Sequence, residues 1–158
     1  MTRLLIATVG VLLVLSASAQ EGRLADAVEV LRNENPDVIW DPQSSVSADV
    51  SCDGIADTAV VGYQKHAVWL GVVFGSKSPR TSKPTVLRFE LGKEAQNSFC
   101  AMPVSIEVRP IDCTTEDGPL PGCRPIKGCM AFSMVDERCD SHHFYWDSIQ
   151  KSLAWWRR

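Results

Sequence analysis

Apolar residues along this chain change their spacing twice. Leu4 to Leu15 form a nearly unbroken apolar run, and Leu24, Ala27, Val28 and Leu31 then recur with charged residues between them. From Asp37 onward, Val, Leu and aromatic residues gather in short blocks divided by polar turns. The helical spacing predicts one amphipathic helix over Arg23–Asn33, its apolar stripe packed on a core. Asn35-Pro36 ends it, because proline disfavours helix in the residue before it.

The later blocks predict strands at Thr58–Tyr63, Ala67–Phe74, Val86–Leu91 and Cys129–Val135, and one over Ser98–Ile111 that alternates around Val104, Ile106 and Val108. His143–Trp146 and Leu153–Arg157, either side of Asp147–Ser152, predict a terminal hairpin. Gly118, Pro119, Pro121 and Gly122 mark a loop between Cys113 and Cys123. Gly75–Pro84, with Lys77, Arg80 and Lys83, reads as a solvated hairpin loop rather than a basic docking patch. The expected fold class is therefore mainly β with a minor helical part. It is an antiparallel β-meander behind one N-terminal helix.

Arg3 ahead of the apolar run and Ala17-Ser18-Ala19 behind it read as a secretory signal over residues 1–19. The run is well short of the roughly 20 residues that cross a bilayer. Residues 20–158 are then expected to form a single β-rich domain with no membrane span. Setting Arg3 aside leaves 15 of the 16 basic residues against 19 acidic ones, a balance that argues against nucleic acid as a partner. All six cysteines lie beyond the leader. An even count there points to disulfides in an oxidising compartment, periplasmic or extracellular, and no Cys-x-x-Cys favours zinc. Fifteen pairings are possible. Cys113–Cys123 and Cys129–Cys139 would each close a short loop, and Cys52–Cys100 would tie an acidic loop to a later strand.

That acidic loop, Asp49-Val-Ser51-Cys52-Asp53-Gly54-Ile55-Ala56-Asp57, carries the one strong chemical signal. Asp49, Ser51, Asp53 and Asp57 place side-chain oxygens at positions one, three, five and nine, and Ile55 offers its backbone carbonyl at seven. Gly54 permits the turn that aims them at one centre. Mixed oxygen ligands of this kind suit calcium, which would relieve the repulsion among three carboxylates. Position twelve is Val60, not Glu, which excludes an EF-hand and a dockerin-like loop.

With the following Ala59-Val-Val-Gly62 and Val68–Gly75, this stretch resembles the calcium loop of FG-GAP repeats, known from integrin α-subunit propellers and bacterial secreted proteins. The resemblance implies a structural ion at a turn between two strands. It spans Asp49–Gly75 only, with Ser51 in place of the commoner Asp or Asn, and a complete propeller needs several blades. The remainder is similar to small uncharacterised proteobacterial secreted proteins, a likeness that brings no function with it.

Asp140, His142 and His143 form the only histidine-rich cluster. Adjacent strand residues point to opposite faces, so the two histidines would not share an ion, whereas Asp140 and His142 share a face and could pair, as a structural hydrogen bond near the stapled end before an acid–base site. Trp155 and Trp156 must likewise face opposite sides, one clasped in the core and the other a partly covered surface ring that could serve as a contact for protein or glycan. No hydrolase elbow, zinc-protease motif or phosphate loop is present. The function expected is a secreted or periplasmic, calcium-stabilised, disulfide-bonded interaction module. The alternative is a small envelope hydrolase or enzyme inhibitor using the Asp140–His142 region.

Overall fold

The computed structural model describes residues 22–75, 83–92 and 97–157. The leader (1–19) and most of the basic loop, including Lys77 and Arg80, lie outside the described residues. Helix α1 (22–34) forms where its periodicity predicts it, and the Asn35 amide closes it on the Leu31 carbonyl at 2.9 Å. Its stripe of Val28 and Leu31 is buried with Val38, Trp40 and Val60, and Leu24 packs on the same cluster.

The strands divide into two antiparallel sheets. The first contains β1 (Ile39–Ala48), β2 (Asp57–Gln64), β3 (Ala67–Val73) and β4 (Thr85–Glu90), in that spatial order. The second contains β5 (Ser105–Pro110), β8 (Met130–Val135), β9 (His142–Asp147) and β10 (Ser152–Arg157), in the order β10-β9-β8-β5. Two-residue strands β6 (Thr114–Thr115) and β7 (Gly118–Pro119) pair with each other alone. The fold is mainly β and antiparallel with one short helix, as expected, but the meander is split between two packed layers.

The first sheet is covered on both sides, which explains why Asp57 to Gly62 are all buried. Ala59, Val61, Val68, Leu70 and Val72 join the main core with Ile106, Phe132, Met134, Phe144 and Leu153 of the second sheet. Val60, Trp69 and Val73 face the helix cluster instead. Trp40 lies directly opposite Gly62 in the β1–β2 ladder. A Cβ on Gly62 would come within 2.7 Å of the indole, and one on Gly71 within 2.5 Å of Leu31. Bare backbone at these two positions gives Trp40 and Leu31 their seat.

Two elements depart from the sequence pattern. Strand β1 carries no clear strand period in the sequence, because Pro42 and Ser44 interrupt it. Its ladder skips between Asp41 and Val46, as proline, lacking an N–H, is tolerated at such irregularities. The Ser44 hydroxyl fills the gap, donating to the Asp41 carbonyl at 2.7 Å and accepting the Val61 amide at 2.9 Å. The stretch Ser98–Ile111 is not one strand: Phe99 bridges to Leu91, the chain turns through Met102–Pro103, and the strand starts at Ser105.

The disulfides also need correction. Cys113–Cys123 forms as expected, but the other bonds are Cys52–Cys129 and Cys100–Cys139, not Cys52–Cys100 and Cys129–Cys139. Loop length was the wrong guide, because the sheets decide which ends meet. Cys129 immediately precedes β8 beside the acidic loop, where the Met130 amide donates to the Asp49 carbonyl at 2.8 Å.

Candidate functional site

Four of the five candidate calcium ligands lie on the loop joining β1 to β2, and Asp57 is the first residue of β2. Asp49 folds the loop over itself: its carboxylate accepts the amides of Asp53 at 3.1 Å and Gly54 at 2.9 Å. Asp53 accepts the Ile55 amide at 2.8 Å. Asp57 turns inward. Only 1% exposed, it accepts the Val50 and Ser51 amides on one oxygen and the Gly75 amide on the other, all at 2.8–2.9 Å. Burial pushes the Asp57 carboxyl above the ordinary carboxylate value, against the pull of those amides. The Ser51 hydroxyl lies near Asp57 but makes no well-formed hydrogen bond.

The donor set therefore fits a cation in part. Asp53 is exposed and Asp49 half-buried, and a carboxylate oxygen that accepts one amide keeps a second lone pair. Asp49, Asp53 and Asp57 do not all converge to within 4.8 Å of one another. Among the described residues, the group that does is Cys100, Asp136 and Cys139, but its sulfurs are joined in a disulfide and offer no thiolate. Asp136 is engaged by backbone amides: those of Cys100, Ala101, Arg138 and Cys139 all donate to it. Burial alone would raise its pKa, but the four amides outweigh burial and hold the carboxyl below its usual value.

Asp140 and His142 are not brought together. Asp140 is exposed, just outside β9. His142 is fully buried among Phe89, Phe99 and Trp155, its Nε2 3.1 Å from the Asn97 carbonyl. Burial lowers its pKa from 6.5 to about 4; the Asn97 bond and Asp136 oppose this, while Arg157 and His143 add to it. Above pH 6.5 the ring is neutral folded or unfolded. Between 6.5 and 4 only the unfolded chain takes up the proton, so stability falls with pH across that window. Urea titrations from pH 7 to 4 should show a loss of about 2–3 kcal/mol, and His142→Leu should flatten it. An unchanged slope in that variant would assign the acid sensitivity elsewhere.

A groove of about 590 Å³ lies on the outer face of the second sheet. Its floor crosses three strands. Ser133 of β8 pairs with His143 of β9, and His143 with Trp156 of β10. The Ser133 hydroxyl lies 2.7 Å from His143 Nδ1, and the imidazole stacks on the Trp156 ring at 4.3 Å. Trp155 points the other way, packing against Phe89 and His142. The alternation expected of the two tryptophans is thus realised, with Trp156 outward.

One wall of the groove comes from the Cys113–Cys123 loop, which supplies Thr114, Thr115, Glu116, Asp117 and Leu120. The loop is fixed to the second sheet by Tyr145, whose hydroxyl donates to the Pro121 carbonyl at 3.0 Å. Ser148 adds two bonds to the Gly122 carbonyl, from its amide and its hydroxyl. Gly122 has φ 67°, and a Cβ there would fall 1.9 Å from the Asp147 carboxylate. Only glycine lets the loop sit this close. Sequence reasoning offered an outward tryptophan without choosing between Trp155 and Trp156, and it missed Ser133, Tyr145 and the loop wall; the run of Gly and Pro between two cysteines was the available signal.

No protein family model, curated protein or solved structure matches this chain.

Proposed function

We propose that this chain is a secreted or periplasmic, non-catalytic binding module whose ligand seat is the groove on the second sheet. The observation that carries the proposal is an immobilised aromatic floor beside a disulfide-stapled wall. A concave site with a few converging polar groups is the general form of a ligand pocket, and a fixed tryptophan at its base is the usual form of a binding hot spot. Three disulfides fit an oxidising compartment, and no helix among the described residues is long and apolar enough to cross a membrane. A hydrolytic role for Asp140 and His142 has no support in their positions. Ser133 is 1% exposed and sits mid-strand between two ladders, a poor setting for a nucleophile. Immobilised wild-type chain should retain a component of envelope extract that Trp156→Ala releases; equal retention by both would exclude the groove.

The acidic loop has a separate, structural role in this proposal: calcium, held by Asp49, Ser51, Asp53 and the Ile55 carbonyl. Its support is the loop's wrap around Asp49 between two strands, the setting that the FG-GAP resemblance implies. At about 10 mM calcium, a site in the extracellular affinity range of roughly 0.1–1 mM adds about 1.4–2.7 kcal/mol to the folded state. The melting temperature should rise by roughly 3–8 °C, and Asp49→Ala should abolish the rise. No shift in the wild-type chain would remove calcium from the account.

A further inference from the structure

We propose that the groove takes a neutral saccharide chain, an inference that rests on the groove being the binding seat. A sugar ring has an apolar face of C–H groups and a rim of hydroxyls. It therefore lies flat on an aromatic ring while its edge reaches polar walls. The floor supplies that ring already set in place, since Trp156 is stacked on His143 and His143 is hydrogen-bonded to Ser133. A side chain immobilised before binding loses little rotamer freedom when the ligand arrives.

The charges of the lining select among ligands. Asp112, Glu116 and Asp117 bring carboxylates, and Arg109 and Arg157 bring guanidinium groups. Arg109 is in turn neutralised by Glu107 at 2.7 Å. A basic peptide would meet like charge at Arg157, and an acidic peptide or a nucleic acid would meet three carboxylates. A hydroxyl both donates and accepts, so it uses acceptors and donors side by side. Thr114 and Thr115 on the same wall add groups of the same dual character. A neutral polyhydroxyl ligand is the class that this mixture serves throughout.

The wall is also preorganised. The Cys113–Cys123 bond, the Tyr145 and Ser148 hydrogen bonds and the close seat of Gly122 hold it before any ligand arrives. Individually weak stacking and hydroxyl contacts give useful affinity only when the site is not ordered at the ligand's expense.

The test is an array of neutral glycans probed with the full chain, followed by calorimetric titration of the oligosaccharides that bind, with a decalysine peptide as comparator. At least one neutral oligosaccharide should bind. Trp156→Ala should weaken it by at least about tenfold and Asp117→Asn by about threefold, while Trp156→Phe stays within about fivefold of wild type. Unchanged melting temperatures would show that the variants remain folded. A silent array, decalysine binding more tightly than every glycan, or glycan affinity untouched in Trp156→Ala would each overturn the proposal. If the array is silent while Trp156→Ala still releases the envelope component, the saccharide class falls and the groove stands. If Trp156→Ala changes neither, both fall.

Discussion

Replacing Cys52 and Cys129 together by alanine should lower the melting temperature by roughly 10–20 °C. The bond spans 77 residues and links the acidic loop ahead of β2 to the start of β8, so it fastens one sheet to the other. Opening a loop of that length returns about 4–5 kcal/mol of conformational freedom to the unfolded chain in the chain-entropy account. Cys129 is also 3% exposed, so the change removes packing from a buried position. Removing Cys113 and Cys123 is the built-in comparison. That bond closes a separation of 10 residues, for which the same account gives about 2.7 kcal/mol. The first pair should therefore cost more stability, and the second should act mainly on the groove wall. Thermal melts of the two double variants decide. A larger loss from the short bond would mean that the sheets are held together by their core alone.

The same bonds show what the sequence could and could not convey. Cys113–Cys123 was legible because proximity along the chain is enough to make a short loop close. Cys52–Cys129 was not, since it depends on the second sheet laying the start of β8 beside a loop of the first. Helix α1 and strands β2 and β3 were legible for a local reason: their apolar residues carry the period of the surface they bury. Strand β1 hid behind Pro42, with the Ser44 hydroxyl making up the bonding that a regular pattern would have announced. At the groove, strand alternation foretold that one of Trp155 and Trp156 faces outward, but not which. That choice is made by the register that sets Trp155 opposite Phe144 and Trp156 opposite His143. His142 reads as chemistry in the sequence and as core in the fold, because nothing local tells an inward strand position from an outward one when the residue is polar.

Asp57→Ala should cost about 3–5 kcal/mol, and Asp49→Ala about 1 kcal/mol, although the two look alike in the sequence. Asp57 is a brace. Its carboxylate gathers the amides of Val50 and Ser51 from one end of the loop and that of Gly75 from beyond β3. Gly75 can approach because it lacks a Cβ, which would lie 2.5 Å from the Ala56 carbonyl. Alanine at 57 leaves three inward-turned amides without an acceptor, and hydrogen bonds to a charged group are worth roughly 1.5–3 kcal/mol each. The cost of burying the carboxylate is recovered in the same change, which keeps the total well below the sum of the bonds. At Asp49 the released amides belong to Asp53 and Gly54, both exposed, and water takes the place of the carboxylate. The raised pKa of Asp57 adds a sign that can be checked. A folded-state carboxyl above its unfolded value of 3.8 loses stability as pH rises from there through its own pKa, so Asp57→Ala should erase that component. The difference between the two variants should persist with calcium chelated, because the brace uses no ion. Equal losses in chelator would show that Asp57 does not brace the loop, and a loss confined to calcium-loaded protein would return it to the ligand set.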